Sequence, residues 1–111
     1  MLRRLLRLAE YDVATFGCGE EFLVSLDRRV PACAILDIHM PGLSGFEVQS
    51  RVRATGTELP VIFITANDEP SLDQVVLEAR GVRLLRKPFG SDELLRAVDA
   101  ALRSKPREAP R

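Results

Sequence analysis

Three polar residues, each placed at the end of an apolar run, are the part of this sequence that could carry out chemistry. Asp37 and Thr65 each follow a continuous apolar run, and Lys87 follows a weaker one. A carboxylate can attack phosphorus as a nucleophile, while an ammonium group and a hydroxyl can stabilise the oxygens of the phosphoryl group. Taken singly, each of these residues is also explained by the fact that strands commonly end in a polar residue where they reach water. Together they indicate a phosphoryl-transfer site.

Short, near-continuous apolar runs are typical of strands that are buried on both faces of a parallel sheet. Four segments are predicted to be strands: residues 11–16, 32–36, 60–64 and 82–85. All strands of a parallel sheet end at the same edge, and ligands bind outside that edge. We therefore expect the carboxylate, the hydroxyl and the ammonium group to converge there.

Amphipathic stretches that alternate with these runs predict five helices, over residues 2–10, 20–26, 46–54, 71–80 and 91–103. Ser71 and Gln74 have the spacing of a capping box, and Ser91 is expected to cap the last helix. The order, a helix followed by four strand–helix units, predicts an α/β domain with an open, mainly parallel sheet and helices on both faces.

Composition limits the function. The chain has 111 residues, with 16 basic and 16 acidic side chains, which fits one domain. Balanced charge gives no electrostatic basis for binding nucleic acid or a membrane surface, and no apolar run approaches the roughly 20 residues of a membrane span. Two cysteines, neither with a metal-ligand companion, predict a reduced, cytoplasmic protein without zinc.

The sequence around the three polar residues resembles the signatures of a known family. Residues 36–45, LDIHMPGLSG, are similar to the phosphoacceptor signature of two-component response-regulator receiver domains. ITA at 64–66 and KPF at 87–89 are similar to the family's other two signatures, in order and at suitable spacing. The likeness is greatest to receivers of transcription-factor type. It implies a flavodoxin-like receiver domain over residues 1–103. Residues 104–111, which are rich in proline and charged side chains, are predicted to be a flexible tail.

The resemblance implies a role for each matching residue. Asp37 would accept a phosphoryl group from the phosphohistidine of a sensor histidine kinase, and Lys87 would pair with the phosphoryl oxygens. Thr65 would hydrogen-bond the phosphoryl group and move toward it. Leu84 occupies the family's switch position, which is usually aromatic, so a readout through a rotating ring is not expected. Pro88 would follow a cis peptide bond.

The resemblance is incomplete at the start of the sequence. In the family a central first strand and an acidic pair, which holds Mg²⁺, precede the first helix, whereas this sequence opens within that helix. The remaining Mg²⁺ ligands would be Asp37 and the backbone carbonyl of His39, a small donor set. The acidic pairs Glu20–Glu21 and Asp68–Glu69 are either replacement ligands or simply a charged helix start and a solvated loop.

The missing strand has consequences for assembly. Either the strands near residues 13 and 35 pair directly, or a gap exposes edges that invite pairing with another chain. We therefore expect reduced stability or a homodimer. The other explanation is that Met1 is not the natural start and the sequence is a truncated version of a full receiver.

Two functions follow from these observations. The first is a receiver domain that accepts a phosphoryl group on Asp37, which Thr65 and Lys87 favour. The alternative is a degenerate receiver that acts as a phosphorylation-independent interaction module through its last helix and adjoining strand, which the absent acidic pair and Leu84 favour. In neither case is the chain expected to be an enzyme beyond self-catalysed phosphotransfer and dephosphorylation.

Overall fold

The computed structural model describes residues 2–39 and 42–103, with the backbone alone for residues 2 and 3. The predicted tail over 104–111 lies outside the described residues. The elements in chain order are α1 (Leu2–Leu8), α2 (Gly19–Ser25), β1 (Ala34–Asp37), α3 (Gly45–Ala54), β2 (Val61–Thr65), α4 (Ser71–Glu78), β3 (Arg83–Arg86) and α5 (Ser91–Arg103).

The sheet of the described residues has three parallel strands in the order β1–β2–β3. The central strand β2 has the sequence VIFIT, and all five of its residues are buried. Branched and aromatic side chains suit a pleated strand that is covered on both faces. The continuous apolar run therefore correctly predicted the centre of the sheet.

Helices cover both faces of this sheet. Phe63 of β2 packs with residues of α2, α3 and α4, among them Phe22, Val48 and Val76. Ile62, which points to the opposite face, packs with residues of α1 and α5: Leu6, Leu94 and Val98. Alternate residues of one strand thus enter two separate cores. The predicted α/β class, with an open parallel sheet and helices on both faces, is confirmed.

The strand predicted over residues 11–16 is wrong. This segment has no regular secondary structure, so the described part of the chain has three strands rather than four. The Tyr11 amide donates to the Leu6 carbonyl at 3.0 Å, and Tyr11 and Val13 pack against the α1–α5 core. A β-prone run forms a strand only where a neighbour takes up its backbone hydrogen bonds. Direct pairing with β1 does not occur, and β1 lies at the edge of the sheet.

The capping box predicted at Ser71 and Gln74 is also wrong. Ser71 is already the first residue of α4, so its side chain does not cap the helix; its hydroxyl donates to Glu69 Oε2 at 3.0 Å. Gln74 instead donates to Glu78 Oε2 at 3.2 Å. Ser91, which was expected to cap α5, is likewise the first residue inside that helix rather than the residue that precedes the helix.

A complete capping box is present at the start of α3. The Ser44 hydroxyl accepts from the Glu47 amide at 3.1 Å, and the Glu47 carboxylate accepts from the Ser44 amide at 2.8 Å. This reciprocal pair satisfies two amides that the helix leaves free. It fixes where α3 begins, directly after the loop that follows Asp37.

Candidate functional site

The carboxyl ends of the three strands bring the predicted residues together. Asp37 is the last residue of β1, Thr65 is the last residue of β2, and Lys87 directly follows β3. The Lys87 Nζ lies 3.3 Å from Asp37 Oδ2, although the two residues are 50 positions apart in the sequence. Thr65 lies on the strand between them. The parallel register therefore assembles a carboxylate and an ammonium group at one sheet edge beside the strand that carries the hydroxyl.

The charged pair is open to solvent. The Asp37 side chain is 32% exposed and the Lys87 side chain is 46% exposed. An ion pair this exposed contributes little to stability, about 0–1 kcal/mol. The carboxylate is therefore accessible to a reactant, and its bond to Lys87 is weak enough to be exchanged for another anion.

Hydrogen bonds orient the Asp37 carboxylate. Oδ1 accepts from the His39 amide at 3.1 Å, and Oδ2 faces Lys87. Each carboxylate oxygen thus has one donor. The contact from His39 to Asp37 is made by its backbone amide, and its imidazole forms no hydrogen bond with another described residue.

Thr65 is fully buried, and its hydroxyl acts only as an acceptor. Its Oγ1 accepts from the Asn67 amide at 3.0 Å, and its carbonyl accepts from the Lys87 amide at 2.8 Å. The hydroxyl hydrogen has no acceptor among the residues that the structure describes. It can therefore be donated to a new group without breaking an existing bond of the side chain.

Gly45 supports the site in a way that the sequence did not reveal. Its amide donates to the Ile38 carbonyl at 3.1 Å, and it is buried. A Cβ atom at this position would lie 2.6 Å from the Asp37 carbonyl oxygen, closer than real contacts allow. The start of α3 therefore presses against the end of β1, and only glycine fits between them. This close approach is a tertiary contact with no local sequence signal beyond the glycine itself.

Leu84 and Pro88 lie on the strand and turn beside Lys87. Leu84 is half-buried in β3, opposite Phe63, and packs against the core formed with α2, α3 and α4. The Lys87–Pro88 peptide bond is cis. Phe89, which follows, packs against the α1–α5 core.

The acidic pairs that were weighed as replacement metal ligands have mostly local partners. Glu21 accepts from the Gly17 amide at 3.1 Å, and Glu69 accepts from the Ser71 hydroxyl. The Glu20 carboxylate lies beside Gly42, in the loop after Asp37. Within residues 2–39 and 42–103, no three His, Cys, Asp or Glu side chains are grouped to hold a metal ion.

The two cysteines are free, and Cys33 lies outside this site. Burial raises the pKa of the half-buried Cys33 thiol to about 11, since desolvation disfavours the thiolate. At neutral pH the group is protonated and is a poor nucleophile. Cys33 is therefore not a candidate nucleophile.

The fold and site define a flavodoxin-like α/β domain with an acid and an amine paired at the carboxyl edge of its sheet. Residues 1–99 match the family described as response regulator receiver domain. The response regulator protein TodT of Pseudomonas putida is 34% identical over 113 aligned residues, which cover 99% of this chain and 50% of TodT. The chain belongs to the receiver-domain family of two-component systems.

Solved structures agree with this assignment. A response regulator receiver protein from Burkholderia phymatum is 42% identical, with a TM-score of 0.80 over 91% of this chain and 82% of that one. The receiver domain of the sensor histidine kinase PA1611 from Pseudomonas aeruginosa, solved with magnesium in its active-site cleft, is 27% identical. Its TM-score is 0.79, over 91% of this chain and 84% of that one.

The chain spans about half the length of the curated relatives that it matches, 50% in the case of TodT. Among the described helices, none has the length and apolar content needed to cross a bilayer.

Proposed function

We propose that Asp37 accepts a phosphoryl group from the phosphohistidine of a sensor histidine kinase. The observation that carries this proposal is the 3.3 Å contact between Asp37 and Lys87 at the open edge of the sheet. A carboxylate oxygen of Asp37 attacks phosphorus, a P–O bond forms and the P–N bond of the phosphohistidine breaks. The imidazole leaves with the electron pair of the broken bond.

Lys87 and Thr65 stabilise the charge that the transfer brings to Asp37. The Lys87 ammonium group exchanges part of its contact with the carboxylate for an oxygen of the phosphoryl group. Thr65 donates its unused hydroxyl hydrogen to another of these oxygens. The side chain moves toward the phosphoryl group, and because Thr65 Oγ1 also accepts from the Asn67 amide, the loop after β2 moves with it.

Receiver domains generally bind Mg²⁺ in the active site, and this chain offers two donors for it. They are the Asp37 carboxylate and the backbone carbonyl of His39. Mg²⁺ is commonly held by one or two carboxylates and completed by water and phosphate oxygens, so this small set fits a weakly held ion. When bound, the ion supplies positive charge that offsets the charge of the phosphoryl oxygens.

The proposal includes the partners and the location of the chain. The phosphodonor is a sensor histidine kinase, and a second copy of the chain pairs with the unpaired edge of β1. The location is the cytoplasm, which suits two free cysteines.

Incubation with acetyl phosphate and Mg²⁺, followed by intact-mass measurement, tests the phosphoacceptor. We expect a mass gain of one phosphate in the wild type, its loss in Asp37→Asn, and its loss when EDTA removes the metal. Asp92→Asn, which alters an exposed acid of α5, is the matched control and should keep the gain. An unphosphorylated wild type at high Mg²⁺ would overturn the proposal in favour of the interaction module. A gain that survives in Asp37→Asn would place the acceptor elsewhere.

A further inference from the structure

A cavity lies at the edge of the sheet opposite Asp37. It has a volume of about 320 Å³ and is formed where β2 and β3 begin and where α3 and α4 end. Small-molecule sites span about 300–1,000 Å³, so it can hold a small ligand. The residues that carry the argument are Gln49, Arg53, Thr57, Glu58 and Arg80.

Gln49 places an unpartnered amide in this cavity. The residue is only 4% exposed, and its side chain has no hydrogen bond within the described part of the chain. Among the described residues, Arg86 Nε is the one side-chain nitrogen or oxygen atom that is fully buried and has no hydrogen-bond partner. The Gln49 amide must therefore face the open space of the cavity that it lines. Because the amide is reached from the cavity, its oxygen can accept and its nitrogen can donate a hydrogen bond to a ligand that enters there.

Two arginines flank the same cavity without ion pairs. Neither Arg53 nor Arg80 forms a salt bridge with a described residue, although the Glu58 carboxylate lines the same cavity. The three side chains leave a net charge of +1. Guanidinium groups bind carboxylate and phosphate oxygens in a planar, two-pronged geometry.

The backbone at Arg80 is strained. Arg80 has φ +63°, in the left-handed region that favours glycine, whereas the comparable residue after α3 is Gly56 with φ +82°. Glu10, after α1, has a similar φ of +71°, so this conformation recurs where helices of this chain end. Its consequence here is that Arg80 lies in the turn that lines the cavity.

We propose that this cavity binds a small anion that carries a carboxylate or phosphate group. Arg53 and Arg80 bind the oxygens of the anionic group, and Gln49 hydrogen-bonds a polar atom at the deeper end of the ligand. The site is separate from the Asp37 site, so a ligand here can act alongside phosphorylation.

Titration of the ¹⁵N-labelled full chain with inorganic phosphate, and separately with succinate, tests the proposal. We expect the side-chain amide of Gln49 and the Nε–H signals of Arg53 and Arg80 to shift. Binding by phosphate alone or by succinate alone identifies the anionic group, and either supports the site. Arg53→Gln and Arg80→Gly should each weaken binding at least tenfold.

Matched variants separate binding from folding. Arg80→Gly relieves the strained backbone, so its melting temperature should rise while its affinity falls. Glu10, which follows α1, also has a positive φ, +71°. Glu10→Gly relieves the backbone strain there in the same way and should leave the affinity for the anion unchanged. Arg51→Gln, an exposed arginine of α3 outside the cavity, should also keep it. Shifts confined to residues around Lys87, or an equal loss of affinity in Arg51→Gln, would overturn the proposal.

Discussion

At the scale of single residues, the site combines weak and tightly packed contacts. The Asp37–Lys87 ion pair is partly exposed and adds little stability, which leaves both groups available for exchange with a phosphoryl group. The backbone beneath is closely packed by contrast, because Gly45 brings the start of α3 directly against the end of β1. The charged groups are thus accessible while the backbone that carries Asp37 is tightly packed.

The Gly45 contact gives a stability prediction. In Gly45→Ala the added methyl group would lie 2.6 Å from the Asp37 carbonyl oxygen, so α3 or β1 must shift. Overpacking of this kind costs about 1–3 kcal/mol. Urea unfolding should show this loss. Gly17→Ala is the control, since the added atom would make only an ordinary contact, 3.5 Å from Glu21 Oε1, and its stability should stay within about 0.5 kcal/mol of the wild type.

At the scale of elements, Arg86 ties β3 to the loop between β2 and α4 and to the first turn of α4. Its guanidinium donates to the Glu69 carbonyl at 2.8 Å and to Asp73 Oδ1 at 3.2 Å. The loop it holds begins directly after Thr65, whose hydroxyl accepts from the Asn67 amide. Arg86 therefore restrains the loop after Thr65, which would have to move together with the Thr65 side chain.

Removing this restraint should loosen the loop. In Arg86→Met the hydrogen bond to Glu69 is lost, and a hydrogen bond of this kind contributes about 1 kcal/mol. Amide exchange at Asn67 and Glu69 should then be about fivefold faster, as that free energy implies. Arg83→Met, at an exposed arginine of the same strand, should leave exchange unchanged. Unchanged exchange in Arg86→Met would show that the loop is held by other contacts.

At the scale of the whole molecule, β1 and β3 are the two edge strands of the described sheet, and the outer edge of β1 is the one considered for pairing. The Ala34 and Ile38 amides donate toward β2, at 3.0 and 2.9 Å, and strand amides alternate in direction. The Ile35 and Asp37 amides therefore point away from the sheet. Two such edges are self-complementary about a twofold axis, which is the usual symmetry of a homodimer.

Sedimentation velocity tests this pairing. We expect a dimer whose fraction rises with concentration in the wild type. Ile35→Pro removes an outward-facing amide without touching the bonds to β2, so it should give a folded monomer. Ile35→Val keeps the amide and should keep the dimer. A wild type that remains monomeric at all concentrations, with the stability of an ordinary domain, would contradict the pairing.

The sequence by itself determined the features that depend on local pattern and residue type. Continuous apolar runs predicted three strands, helical spacing predicted five helices, and the parallel-sheet rule predicted that Asp37 and Lys87 share one edge. Parallel strands that pair in register end together, and this lets the long Lys87 side chain reach Asp37 past the end of β2, at 3.3 Å.

Only the tertiary structure decided the features that depend on contacts between segments that are distant in the sequence. Residues 11–16 have the composition of a strand, yet they form none, because strand formation needs a neighbour that the described chain does not supply. The capping box lies at Ser44 rather than Ser71, since helix starts depend on where the preceding loop is held. The tight fit at Gly45 and the unpartnered amide of Gln49 are contacts between distant segments, which a linear sequence does not display.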